Sequence, residues 1–206
     1  QADAAGAVAL LDRLVALDSS NQEWRAALAS VQVSSAEALQ AQGQWPAAGQ
    51  MLEAAARVQG FRGVEGLDAL DLAVRARWLA AQARQVGARG APADEMAALL
   101  DAMLAREPQR QVLRATRRRV LATLALALGD ALAARGDSVA ARTRWTQGRA
   151  LLADPGSEPH STAVLAHLHQ RLGETQAAAA LADSLQAGPF RHPLVFDLFA
   201  RLGRSL

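Results

Sequence analysis

The sequence predicts an all-α chain of about ten helices. Three observations carry that reading. Of the 206 residues, 50 are Ala and 31 are Leu, so strong helix formers hold a large share of the chain. Between turn signals, apolar residues recur at three- and four-residue spacing, the mark of a helix with one buried stripe. Ile and Tyr are absent, and no segment alternates with period two, so the β-branched and aromatic runs of a sheet are missing.

The elements follow from the punctuation. A first helix covers about residues 4–17. Asp18-Ser19-Ser20-Asn21 ends it and offers caps for the next, which runs over about 22–42 and stops at Gly43. Pro46 suits a first helical turn and opens a third helix to about Val58. Gly60, Gly63 and Gly66 mark a loop. A fourth helix covers about 67–85 and is closed by Gly87 and Gly90. Pro92 opens a fifth, which ends before Pro108. The sixth spans about 109–135, Gly136-Asp137-Ser138 turns the chain, and the seventh ends near Ala153. After the turn at 154–159, an eighth helix runs to Leu172, Gly173 turns the chain, and a ninth runs to about Gln186. Gly188-Pro189 precedes a terminal capping helix at 192–203.

Composition excludes several classes. There is no Cys, hence no disulfide scaffold. An apolar content of 51% with a net charge of +2 excludes a disordered chain. All 22 basic residues are Arg and face 20 acidic ones, too even a balance for general attraction to nucleic acid. The most apolar run, Val120 to Leu128, is about half of the roughly 20 residues that cross a bilayer, so no membrane span is expected. The chain begins at Gln1 rather than Met, and we read it as a fragment of a longer protein.

Three turns repeat. Gly43 is followed at five, nine and twelve places by Ala48, Leu52 and Ala55. Gly136 is followed at the same offsets by Ala141, Trp145 and Gly148, and Gly173 by Ala178, Ala182 and Leu185. Upstream, Ser35-Ala36, Leu128-Gly129 and Leu165-Ala166 hold matching places, as do Leu39, Leu132 and His169. The pattern resembles the tetratricopeptide repeat (TPR), a helix–turn–helix of 34 residues, and the resemblance implies a right-handed solenoid of stacked helix pairs. Small residues let antiparallel helices approach, large ones fill the seam, and the turn glycine takes a positive φ. Gly129 is expected to face Ala141, and Ala36 to face Ala48. The best repeats are 22–58, 109–153 and 159–187 of a single domain over 1–206. The pattern departs from the family in its spacing: Gly136 to Gly173 is 37 residues, and the middle, about 61–106, fits poorly. The first helix looks like the second half of a repeat.

The stretches LLDRLVALDSSNQEW and AGPFRHPLVFDLFARLG resemble the TPR-containing tails of bacterial serine/threonine kinases and winged-helix regulators. No kinase motif lies in this chain, since Lys is absent and there is no Gly-rich phosphate loop. The resemblance implies a sensing or docking part that binds a protein or peptide. In some membrane-anchored members the tail lies outside the cytoplasm, which favours a periplasmic placement over a cytoplasmic one.

The family's groove is lined by the first helix of each pair. The matching stripes here are Arg119, Thr123, Leu126 and Asp130; His160, Val164, His167 and Arg171; and Ser34, Glu37 and Gln40. They are expected to face a protein or peptide partner. The alternatives are burial of Leu126 and Val164 by neighbouring helices, a small-ligand pocket near the Gly60–Gly66 loop, and a structural module that forms a homodimer. Arg114, Arg117, Arg118 and Arg119 read as a solvated face paired with Asp94, Glu95, Asp101 and Glu107. His167 and His169 point about 200° apart on a helix, which disfavours a shared metal, and His169 reads as a packed seam residue. Trp24, Trp78 and Trp145 read as core. With no Gly-x-Ser-x-Gly elbow, no cofactor motif and no catalytic constellation, the fragment reads as a non-enzyme.

Overall fold

The computed structural model describes residues 2–60, 69–105, 115–152 and 158–187, together with Val195, Leu198, Phe199, Leu202 and Gly203. Among them are nine α-helices, one 3-10 turn and no strand. The helices are α1 (Ala2–Leu17), α2 (Gln22–Ala41), α3 (Trp45–Gln59), α4 (Ala69–Val86), α5 (Ala93–Ala105), α6 (Ala115–Ala134), α7 (Ser138–Leu151), α8 (Pro159–Arg171) and α9 (Thr175–Gln186); the 3-10 turn is Ala88–Gly90. Residues 61–66 of the glycine loop, Glu107, Arg114, residues 154–157 and most of the 192–203 segment lie outside the described residues. The chain divides into two compact units, Gln1–Gln85 and Val86–Leu206, and each is described by itself.

The three repeated turns share one backbone. Gly43, Gly136 and Gly173 have φ of 70°, 89° and 82°. The residue after each glycine donates its N–H to the carbonyl five places back: Gln44 to Leu39 at 2.9 Å, Asp137 to Leu132 at 3.0 Å, Glu174 to His169 at 2.9 Å. Each glycine N–H bonds the carbonyl three places back, at 3.1, 3.0 and 3.2 Å. These are the two hydrogen bonds of a Schellman motif, and they satisfy carbonyls that the helix end would otherwise leave open. The next helix then starts in the same register: Ala48, Ala141 and Ala178 are each fully buried.

In the first unit, α2 and α3 pack as a pair. Its core has two clusters, one of Ala29, Val33, Ala55 and Val74, the other of Ala36, Ala48, Leu52 and Ala81. Ala36 and Ala48 therefore meet in one cluster, as the repeat predicts. Val74 and Ala81 bring α4 onto the pair. Trp78 packs on both clusters, and its indole N–H donates to the Leu52 carbonyl at 2.8 Å. Asn21 caps α2 by accepting from the Trp24 N–H at 3.1 Å.

In the second unit, α6 is the central element. It packs against α5, α7, α8 and the 3-10 turn, which explains why Val120, Leu121, Leu124, Leu126 and Leu128 are all buried although they point in different directions. Helix α8 is buried at every residue from Ser161 to Leu168. Val195, Leu198 and Phe199 close over Ala163, Ala166, Ala182 and Leu185.

Gly129 lies under Trp145: a Cβ placed there would stand 2.3 Å from the indole Nε1. The indole is larger than the gap an alanine would fill, so it takes the space left by the glycine.

Candidate functional site

The structure brings the predicted stripes of α6 and α8 together, but against each other. Arg119, at the start of α6, donates to Glu158 Oε1 at 2.6 Å. Glu158 caps α8, accepting from the Ser161 N–H at 2.9 Å and from its hydroxyl. At the other end, Arg171 holds Asp130 through two parallel bonds, Nε to Oδ1 at 2.7 Å and Nη2 to Oδ2 at 2.8 Å. Start pairs with start and end with end, so α6 and α8 run in the same direction.

Between these ion pairs the seam is apolar. Leu126 and Val164 share a cluster with Ala122, Leu152, Leu165 and Leu168. Leu126, Val164 and His167 are buried, which corrects the reading of them as an exposed groove; Leu126 and Val164 pack within the cluster that joins α6 and α8. Thr123 turns its hydroxyl back to the Arg119 carbonyl at 2.8 Å. His160 stays half-buried at the start of α8. The side chains that keep contact with solvent are Arg119, Glu158, Asp130 and Arg171, with Thr123 between them.

The first unit repeats the arrangement with α2 and α4. Glu37 accepts from Arg77 at 2.7 Å and from Arg84 at 3.5 Å. Arg77 also donates to the Ser34 hydroxyl at 2.9 Å. Gln40 is buried, a second correction to the exposed stripe. Its amide donates to the Ala81 carbonyl at 2.9 Å, and its carbonyl accepts from Arg84 Nε at 3.1 Å. A buried amide must find such partners. Burial pulls the Arg84 guanidinium below its ordinary pKa while Glu37 opposes that, and the group stays charged at neutral pH.

Other candidates move as well. His169 is half-buried rather than fully packed in the core. Its Nδ1 meets Glu174, which also pairs with Arg149 of α7. Those two partners hold the Glu174 carboxyl below its usual range, the Arg149 hydrogen bond first. The stripe residue His167 takes the buried place instead. Asp101 pairs with Arg144, at 2.7 and 3.2 Å, while Arg119 of the arginine run bonds Glu158. Trp145 is half-buried, and its Nε1 is buried without a hydrogen-bond partner. Trp45 is 44% exposed.

Sequence reasoning missed Arg77, Arg84 and Glu158 as partners of the stripes. One signal was present: opposite charges recur 39–41 places apart, as Glu37/Arg77, Arg119/Glu158 and Asp130/Arg171. Among the described residues no group of three or more His, Asp or Glu is placed to hold a metal ion, and no helix is long and apolar enough to cross a membrane. Comparison with known proteins found no matching family, no matching curated protein and no matching solved structure.

Proposed function

We propose that this chain is a TPR-like helical-repeat module that binds a protein or peptide partner as a scaffold or sensor. The observation that carries the reading is the recurrence of one helix–turn–helix, with the same glycine turn and the same buried alanine five residues later, at Gly43, Gly136 and Gly173. Repeats of this kind stack and offer a continuous helical surface to a ligand. No catalytic step and no cofactor belong to this reading.

The binding surface in the second unit is the solvent side of the α6–α8 seam, lined by Arg119, Thr123, Asp130, Glu158 and Arg171. These side chains already exchange charge-assisted hydrogen bonds with one another, and partly exposed pairs of this sort are worth little to stability. They can therefore be re-partnered by the backbone and charged groups of a bound segment. Buried Leu126 and Val164 set the spacing of the two helices beneath.

The test is a pull-down from lysate of the source cells with the wild-type chain and with Asp130→Ala/Arg119→Ala. Removing one member of each ion pair changes the rail while the apolar seam is kept. Loss of the captured protein by a variant with unchanged circular dichroism supports the reading. Capture of the same protein by both moves binding to another face.

A further inference from the structure

Glu37 and Asp130 hold the same place in the repeat, six residues before Gly43 and Gly136. Asp130 answers one arginine: Arg171 grips both its oxygens. The other arginine of that seam, Arg119, has Glu158. Glu37 answers two. Arg77 reaches Oε2 at 2.7 Å and Arg84 reaches Oε1 at 3.5 Å. Among the described residues neither guanidinium pairs with another carboxylate, so two positive charges of α4 draw on one negative charge of α2.

The shortfall shows in the geometry. The Arg84 contact with Glu37 is long for a charge-assisted bond, which ordinarily measures about 2.7–2.9 Å. Its Nε turns to Gln40, and its Nη1 has no hydrogen-bond partner among the described residues. Arg77 fills its remaining Nη bonds with uncharged hydroxyls, Ser34 at 2.9 Å and Ser30 at 3.5 Å. The two arginines lie seven apart, two turns along one face of α4, and their side chains are 28% and 33% exposed, so both reach water. Burial and the like charge of Arg77 push the Arg84 pKa down against the pull of Glu37, as befits two guanidiniums that share one anion.

We propose that the solvent side of the α2–α4 seam binds the oxyanion of a small acidic ligand, a carboxylate or a phosphoryl group, between Arg77 and Arg84. A singly charged oxyanion beside Glu37 brings the two arginines into balance. Guanidinium forks match the oxygens of both groups, and the Ser30 hydroxyl, which accepts from Arg77, still has its own proton to donate. Glu37 is then the internal competitor for the donors that the ligand uses. In the α6–α8 seam each arginine already has its own carboxylate, so the inference belongs to the first unit and is independent of the peptide-binding reading of the second.

The experiment is a heteronuclear NMR titration of the 206-residue chain with inorganic phosphate and, in a second arm, with acetate. Each runs up to about 50 mM, with chloride exchanged to hold the ionic strength constant. Saturable shifts centred on Arg77 and Arg84 are expected, with a dissociation constant of about 1–10 mM, and the tighter arm tells which oxyanion the seam takes. Arg77→Gln should weaken binding at least about threefold, and Glu37→Gln should tighten it by about as much. Glutamine at 37 still offers Arg77 an acceptor, so circular dichroism should not change. Glu53→Gln is the control, since it removes one negative charge from an exposed place on α3 and should leave the affinity as it was. Absence of saturable shifts in both arms overturns the proposal, as does binding that Arg77→Gln leaves intact. Equal tightening by Glu37→Gln and Glu53→Gln also overturns it, because the anion then follows net charge rather than the arginine pair.

Discussion

The indole of Trp145 occupies the space where residue 129 would carry a Cβ. That atom would lie 2.3 Å from Nε1 and 2.4 Å from Cδ1 of the ring. Gly129 is thus a packing requirement of the α6–α7 pair, and its cost to α6 is offset by the contact it allows. Gly129→Ala should destabilise the chain by about 1–3 kcal/mol through overpacking, even though alanine is the better helix former. Urea unfolding followed by tryptophan fluorescence reads this directly. A neutral or stabilising Gly129→Ala would contradict the contact.

Trp145 gives the complementary case. Its Nε1 is buried with no hydrogen-bond partner, so the ring contributes by area alone. Trp145→Phe keeps most of that area and removes an unsatisfied donor, whose burial costs about 1–3 kcal/mol. The two effects oppose each other, and the variant should fall within about 1 kcal/mol of the wild type. A loss above about 3 kcal/mol, the range of a large cavity, would contradict this balance of the two effects.

The three turn glycines should respond alike. Replacement by Ala at Gly43, Gly136 or Gly173 forces an L-residue into the left-handed region, at roughly 1–2 kcal/mol each. No neighbour lies within 4 Å of a Cβ at any of the three, so the cost is conformational rather than steric. Equal losses at the three sites in denaturant titrations would match their common geometry. One site that tolerates Ala would set that turn apart.

Acid should weaken the start of α8. Burial raises the Glu158 pKa, but the hydrogen bonds from Ser161 and the charge of Arg119 outweigh it and hold the carboxyl below its ordinary value of 4.5. A carboxyl whose folded pKa is depressed stabilises the fold fully above its unfolded value, and that contribution fades as pH falls through the folded value. The melting temperature of Glu158→Gln should therefore lie below that of the wild type at neutral pH. The two should converge as the pH drops below about 4.5. Parallel curves down to pH 3 would remove the ionised carboxyl from the account.

Arg118 and Arg119 separate two roles within one run. Arg119 bonds Glu158 across the seam, so Arg119→Gln should cost about 0.2–1 kcal/mol, the range of partly exposed pairs. Arg118→Gln should stay within about 0.5 kcal/mol. A double-mutant cycle of Arg119→Gln with Glu158→Gln should return a coupling of the first size, and zero coupling would contradict the bond.

The helices and the glycine turns were legible because their signals are local. Spacing places the apolar residues, and a glycine five residues before a buried alanine marks the turn. The packing partners were not legible in α6 and α8. Residues 120–128 are apolar almost all round, so periodicity cannot say which side meets α7 and which meets α8. His167 and His169 show the consequence. Two places apart on a helix they point to different surroundings: His167 is buried and His169 meets Glu174, which periodicity within α8 does not contain. The exposed stripe failed at Leu126 and Val164 for the same reason: both are buried in one cluster with residues of the other helix. Gln40 was misplaced because its amide looks like a surface group until the Ala81 carbonyl and Arg84 are seen beside it.

The ion pairs between helices also bear on how the chain reaches its fold. Side-chain hydrogen bonds between helices of the same unit link residues 25–47 positions apart, so each tertiary contact closes a loop of modest length. Loop-closure entropy grows only slowly with such lengths, and chains dominated by local contacts fold in microseconds to milliseconds. A helix pair such as α6–α7 can form and then recruit α8 through Arg119 and Asp130 without waiting for distant segments to meet, which shortens the time its apolar α6 surface spends in water.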